Sequence, residues 1–151
     1  MTVTNFRITK IRAEKNESAA KDAENVSVSS NFMIMSMAKK KSKETGEYLQ
    51  VNFHFNIGYK PALGAIDMEG YLWFTDKKLD EVATEKGGKM HVEQEAMKEI
   101  STMILRDSLL EAIDMSKKLK LPIPVSLPKV NVKSKEVAFA IEGSGAGTKS
   151  S

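Results

Sequence analysis

Between residues 50 and 57 polar and apolar side chains alternate without a break: Gln50, Asn52, His54 and Asn56 against Val51, Phe53, Phe55 and Ile57. Successive side chains of a strand point to opposite faces, so this stretch reads as a half-buried strand. The pattern resumes after a link containing Gly58, Pro61 and Gly64. Ile66, Met68, Leu72 and Phe74 share one face, with Gly70 among them, and Asp67, Glu69, Tyr71 and Trp73 share the other. The two runs predict an antiparallel hairpin with a wide loop. A sheet with one apolar face must bury it against another layer.

The remaining segments supply further strands and that layer. Residues 3–13 read as a first strand in which Phe6 and Ile8 alternate and the next apolar residue, Ile11, is shifted by one. A bulge or bend between Ile8 and Ile11 absorbs such a shift. Residues 14–25 are a polar connection. A second strand runs over 26–38, with Val26, Val28, Phe32 and Ile34 on one face and Met33, Met35 and Met37 on the other. Two meanings fit its double apolar character: a strand covered on both sides, or an adaptable methionine surface, since thioethers are flexible and polarizable. Residues 39–47, with Lys39, Lys40, Lys41 and Lys43, form a charged hairpin tip. Strands 26–74 make a three-strand meander to which residues 3–13 add a fourth. Residues 75–92 leave the sheet through a short helix near 78–84 and a loop at Gly87-Gly88.

A long helix is predicted over 92–118. Glu93, Glu95 and Glu99 near its start and Lys117, Lys118 and Lys120 near its end oppose the helix dipole favourably. Met97, Ile100, Met103, Ile104, Leu110 and Ile113 form an apolar stripe, with Leu105, Leu109 and Met115 outside it, so a second surface, such as an identical subunit, is expected there. Ser108 and Glu111 match a capping box, which leaves a break near Asp107 or a continuous helix both open. Pro122, Pro124 and Pro128 stop the helix and favour an extended segment carrying Leu121, Ile123 and Val125. Residues 129–141 offer a weak final strand or an apolar tail, and 143–151 are a flexible Gly/Ser tail, so residues 1–142 constitute the single domain.

Composition narrows the function classes. The chain of 151 residues has no cysteine, which excludes a disulfide framework and a thiol nucleophile and fits a reducing, cytoplasmic setting. A net charge of +3 within 28% charged residues describes a soluble protein more than a nucleic-acid clamp. No aromatic residue interleaves with the lysines of 39–43 to stack bases, which disfavours nucleic acid as a partner. No apolar run approaches the ~20 residues of a membrane span, and no signal peptide is expected. His54 and His91 have no neighbours at ligand spacing, so no metal is expected. Asp67 and Glu69 share a strand face and could serve acid–base work or hold a cation, but no converging base or nucleophile accompanies them. Gly87-Gly88-Lys89 lacks the rest of a phosphate loop, and no catalytic serine motif is present. The expectation is a protein that is not an enzyme and needs no cofactor.

The resulting order is a bent strand, a polar connection, a meander, a loop, a long helix and a Pro-punctuated exit. It resembles the SecB-like family of export chaperones. The segment 99–106, Glu-Ile-Ser-Thr-Met-Ile-Leu-Arg, followed by 121–130, Leu-Pro-Ile-Pro-Val-Ser-Leu-Pro-Lys-Val, carries most of the likeness, and 64–70 falls at the family's fourth strand. It covers about residues 3–132. The helix is longer than in the family's pattern, and the acidic tail of its classical members is replaced by a Gly/Ser end. The resemblance implies an α+β fold: a four-stranded antiparallel sheet with a long C-terminal helix packed on one face. It also implies an ATP-independent holdase, a homo-dimer or tetramer, that binds unfolded polypeptide along apolar grooves. The alternative is an interaction module with one dedicated protein partner. Met33, Met35, Met37, Tyr71 and Trp73 on the sheet side away from the helix, together with Leu105, Leu109, Ile123 and Val125, are the candidate client- or subunit-binding residues.

Overall fold

Every inward position of the central strand is buried: Leu49, Val51, Phe53, Phe55, Ile57 and Tyr59. The computed structural model describes residues 2–17, 26–123 and 136–141. Its elements are β1 (Thr2–Lys15), β2 (Ser27–Ser42), β3 (Gly46–Lys60), β4 (Gly64–Thr75), α1 (Leu79–Val82), β5 (Ala83–Lys86), β6 (Lys89–Glu93), α2 (Gln94–Leu119) and β7 (Glu136–Ala140). The main sheet has the order β1-β4-β3-β2, all antiparallel. The meander β2–β3–β4 is therefore as expected, and β1 adds to the far side of β4.

Two register shifts bend β1. One lies between Ile8 and Lys10, where the apolar frame slips in the sequence, and another between Thr4 and Arg7, around Asn5 with φ 51°. Together they keep Val3, Phe6 and Ile8 packed toward the core. The bend brings the Arg7 carbonyl over β4 at Gly70. A Cβ at that residue would lie 2.2 Å from the carbonyl oxygen and 3.0 Å from the Phe53 ring. Phe6 stacks on Phe53 at 5.3 Å between centroids beside this point. Glycine is required here by close backbone approach, not by φ.

Helix α2 covers the inner face. Its buried positions are Ala96, Met97, Ile100, Ser101, Ile104, Leu105, Ser108, Leu109, Ala112 and Ser116, steps of three and four that make one stripe. The first half packs on a core with Leu49, Val51, Leu72 and Phe74. The second half, from Leu105, packs on Phe55, Ile57, Tyr59, Ile66 and Met68. The helix is continuous through Asp107. It ends with Lys120 in the left-handed region, the Lys120 N–H on the Lys117 carbonyl and the Leu121 N–H on the Ser116 carbonyl. This Schellman pattern turns the chain back and tucks Leu121 into the second core. Two hydroxyls in that core, Tyr59 Oη and Ser108 Oγ, have no hydrogen-bond partner among the described residues. Burial pushes the Tyr59 phenol above its ordinary value, against a smaller opposite pull from Ser116, whose own hydroxyl donates to the Ile113 carbonyl.

The segment read as leaving the sheet holds more structure than the loop and short helix expected. After α1, β5 and β6 form a hairpin turned by Gly87 (φ 57°) and Gly88 (φ 74°), as a two-residue turn with both centres at positive φ demands. β7 pairs antiparallel with β6 and completes a second, three-stranded sheet. This sheet touches the main one where Ile141 bridges Met37. The Gly/Ser stretch 143–151 lies outside the described residues.

Gly70→Ala is expected to lower stability by about 1–3 kcal/mol, because backbone must move to admit the methyl group. Ser108→Ala removes a buried, unsatisfied hydroxyl and is expected to be neutral or to stabilise by about 1 kcal/mol. Urea denaturation of both variants tests the pair, and an unchanged midpoint for Gly70→Ala would show that β1 crosses β4 elsewhere.

Candidate polypeptide-binding surface

The face of the sheet away from α2 is polar. On β3 it presents Gln50, Asn52, His54 and Asn56, and on β4 Asp67, Glu69, Tyr71 and Trp73. Side-chain bonds run across it. The Asn52 amide donates to Ser36 Oγ at 2.9 Å, the Gln50 amide to Asn52 Oδ1 at 3.2 Å and the Trp73 indole to Gln50 Oε1 at 3.3 Å. Asp67 Oδ1 accepts from the Asn56 amide at 2.7 Å and lies 3.3 Å from His54 Nε2. With Lys10, Arg12 and Glu69 these last two residues line a cleft of about 160 Å³. The Asp67 carboxylate is thus bonded within the face, which suits a structural acid. No group of three or more metal-ligating side chains occurs among the described residues.

The methionines do not line up as the sequence predicts. β2 pairs Met33 with His54 and Ile34 with Phe53, but the next pairs are Ser36 with Asn52 and Met37 with Val51. Met35 is the extra residue of a bulge, which leaves Met35 and Ser36 both against Asn52 and turns Met37 inward. Met33 is 53% exposed and Met35 43%, whereas Met37 is fully buried in the first core. The assignment of Met37 to the outer surface is therefore corrected. Nor do the two exposed methionines join the aromatic pair. Asn52 separates Met35 from Tyr71 in the register, a gap of two strand spacings, about 10 Å. Trp73 stacks instead on Tyr48, with centroids 4.0 Å apart, and both Tyr71 and Trp73 are half-buried.

The helix residues need a similar correction. Leu105 and Leu109 face the sheet and are buried in the second core, not on the exposed side of the helix. Leu110, expected in the stripe, is 61% exposed. The serines 101, 108 and 116 occupy inward positions and were not part of the expected apolar stripe. Their signal was that, with Ala112, they recur after seven, four and four residues on one helix face, not hydrophobicity. Ile123 is exposed just beyond the buried Leu121, and Val125 lies outside the described residues.

The edges of the sheet differ sharply. β1 is bulged twice and carries Arg7, Lys10, Arg12, Glu14 and Lys15, devices that protect an edge from strand addition. β2 has no charge and no proline from Ser27 to Ala38. Among the described residues β7 approaches its outer edge, and Ile141 makes a single bridge there to Met37. Val28, Met33 and Met35 are exposed along it, and Phe32 and Ile34 are half-buried. The lysine tip beyond it is partly engaged. The Lys39 ammonium donates to Asp80 at 3.0 Å and holds that carboxyl below the usual carboxylate range.

Met37→Ala is expected to cost about 2–5 kcal/mol of stability by leaving a cavity, and Met33→Ala less than about 0.5 kcal/mol. Equal losses in thermal or urea denaturation would remove the bulge as the reason for their different placement.

No protein-family model matches the sequence, and no curated protein does. The structure is similar to that of a SecB-like chaperone of Mycobacterium tuberculosis, solved in complex with a ChAD peptide from the HigA1 antitoxin. The TM-score is 0.52 at 14% sequence identity, over 86% of this chain and 87% of that one. Both the four-stranded antiparallel sheet and the long helix over one face belong to that architecture. On this likeness the chain has the SecB-like fold, in a form strongly diverged in sequence.

Proposed function

We propose that this chain is an ATP-independent chaperone that holds extended polypeptide along the outer edge of β2. The observation that carries the reading is the uncharged edge from Ser27 to Ala38 with Met33 and Met35 exposed beside it. An open strand edge offers unpaired N–H and C=O groups in register for an added strand. Main-chain bonding of that kind is indifferent to sequence, and flexible thioethers adapt to whatever side chains arrive. The guarded β1 edge directs strand addition to β2. A chaperone of the same fold solved with a peptide supports the class of ligand.

A second reading, one dedicated partner, is favoured by the particular peptide in that complex, which comes from an antitoxin. The two readings use the same edge and differ in selectivity. Self-association into a dimer or tetramer, with Ile123 or Leu110 at the interface, is part of the proposal. So is a cytoplasmic setting. Among the described residues no helix is long and apolar enough to cross a membrane.

Placing charge on the edge provides the test. The double variant Met33→Lys/Met35→Lys should fold normally, because both positions are exposed. It should bind a reduced, alkylated lactalbumin about tenfold or more weakly in fluorescence anisotropy, since a bound strand would desolvate the ammonium groups. Unchanged affinity would move the site off β2. Failure of the unmodified protein to bind lactalbumin, together with a pull-down dominated by one protein, would select the dedicated-partner reading. Light scattering on a sizing column reports the mass of the free and loaded states.

A further inference from the structure

The pair Met33 and Met35 is chemically out of place. The positions across from it on the outer face are His54 and Asn52, and Ser36 lies beside Met35 in the bulge. Among the described residues no apolar floor on that face receives the two thioethers, and Met33 is 53% and Met35 43% exposed. The other methionines of the core form a clear contrast. Met37 and Met68 are 0% exposed, Met90 1% and Met97 4%. Susceptibility of a thioether to oxidation follows its access to the oxidant, so one short stretch of β2 concentrates accessible sulfur at the edge read above as the polypeptide site.

From this we propose that Met33 and Met35 are an oxidation site that switches polypeptide binding off. The inference rests on the β2 edge being the binding site and adds its regulation. A peroxide is the oxidant. With hydrogen peroxide, a lone pair of the sulfur attacks one oxygen, the O–O bond breaks, and the proton on the transferred oxygen passes to the departing hydroxide, leaving the sulfoxide and one water. Sulfur is oxidised and the peroxide reduced, with no other group required. A dithiol reductant, with the enzymes that act on methionine sulfoxide, returns the thioether and releases the oxygen as water. The sulfoxide is polar and a strong hydrogen-bond acceptor. It replaces an adaptable apolar contact by a group that a docked strand would have to desolvate. The fold itself should survive, because neither side chain is packed in the core.

The test treats the full chain with a limiting amount of hydrogen peroxide and follows two readouts. Peptide mapping by mass spectrometry should find sulfoxide at Met33 and Met35 well before Met37, Met68, Met90 or Met97. Anisotropy with labelled, alkylated lactalbumin should give affinity about tenfold weaker after oxidation, restored by methionine sulfoxide reductase with a dithiol. Whatever its starting affinity, the variant Met33→Leu/Met35→Leu, close to conserving volume, should show the same affinity before and after treatment. Oxidation no faster at Met33 and Met35 than at Met37 overturns the assignment of the site. Oxidation at both with affinity unchanged, or equal loss in the leucine variant, overturns the switch. If untreated protein does not bind lactalbumin, the binding reading falls and the switch with it, whereas the mapping still reports which sulfurs are accessible.

Discussion

Leu49, Val51, Phe53, Phe55, Ile57 and Tyr59 leave β3 on one side and are all but removed from water. Burying each such side chain contributes about 1.5–3 kcal/mol relative to exposure, so the sheet cannot stand uncovered. α2 is the cover, and its length follows from the task. At about 1.5 Å per residue its 26 residues span about 39 Å, enough to cross both cores. The turn that brings Leu121 back into the second core closes the far end. At the near end the β5–β6 hairpin supplies Met90 and Val92 to the first core.

With one face sealed by the helix, the other face and the edges are what remain for interaction. The outer face is not apolar. Its amides, Asp67 and His54 bind one another, and its aromatic pair, Tyr48 and Trp73, closes on itself. The edge of β2 is different: among the described residues it is bridged by another strand at Met37, and from Ser27 to Ala38 it carries two exposed thioethers and no charge to repel a strand. β1 has the same exposure to strand addition and meets it with bulges and charges. This asymmetry within one sheet gives the proposed function a direction along the molecule.

The meander and the covering helix were legible because each rests on a period: two for β3 and β4, about 3.6 for α2. The bulge in β1 was legible too. Its polar and apolar positions contrast, so the slip from Ile8 to Ile11 shows as a change of frame. In β2 the same event left no trace. Met35 and Met37 continue an apolar alternation begun at Met33, and Phe32 and Ile34 fill the other face. A strand apolar on both faces reads the same in either frame, and the turning inward of Met37 was hidden.

The sequence by itself determined the four strands of the main sheet and the long helix, and that one face of the sheet needed a cover. These are consequences of side-chain direction and of the cost of apolar surface in water. The tertiary structure alone decided the register of β2 on β3, the inward side of α2 and the pairing of β7 with β6. Those depend on hydrogen bonds and packing between residues distant in the chain. Leu105 and Leu109 went to the sheet, and Leu110 to solvent, because the helix settled with its small residues, Ser101, Ser108, Ala112 and Ser116, also facing inward. That choice balances how closely backbone can approach backbone against how much apolar area is buried, and it can be made only when both surfaces are present.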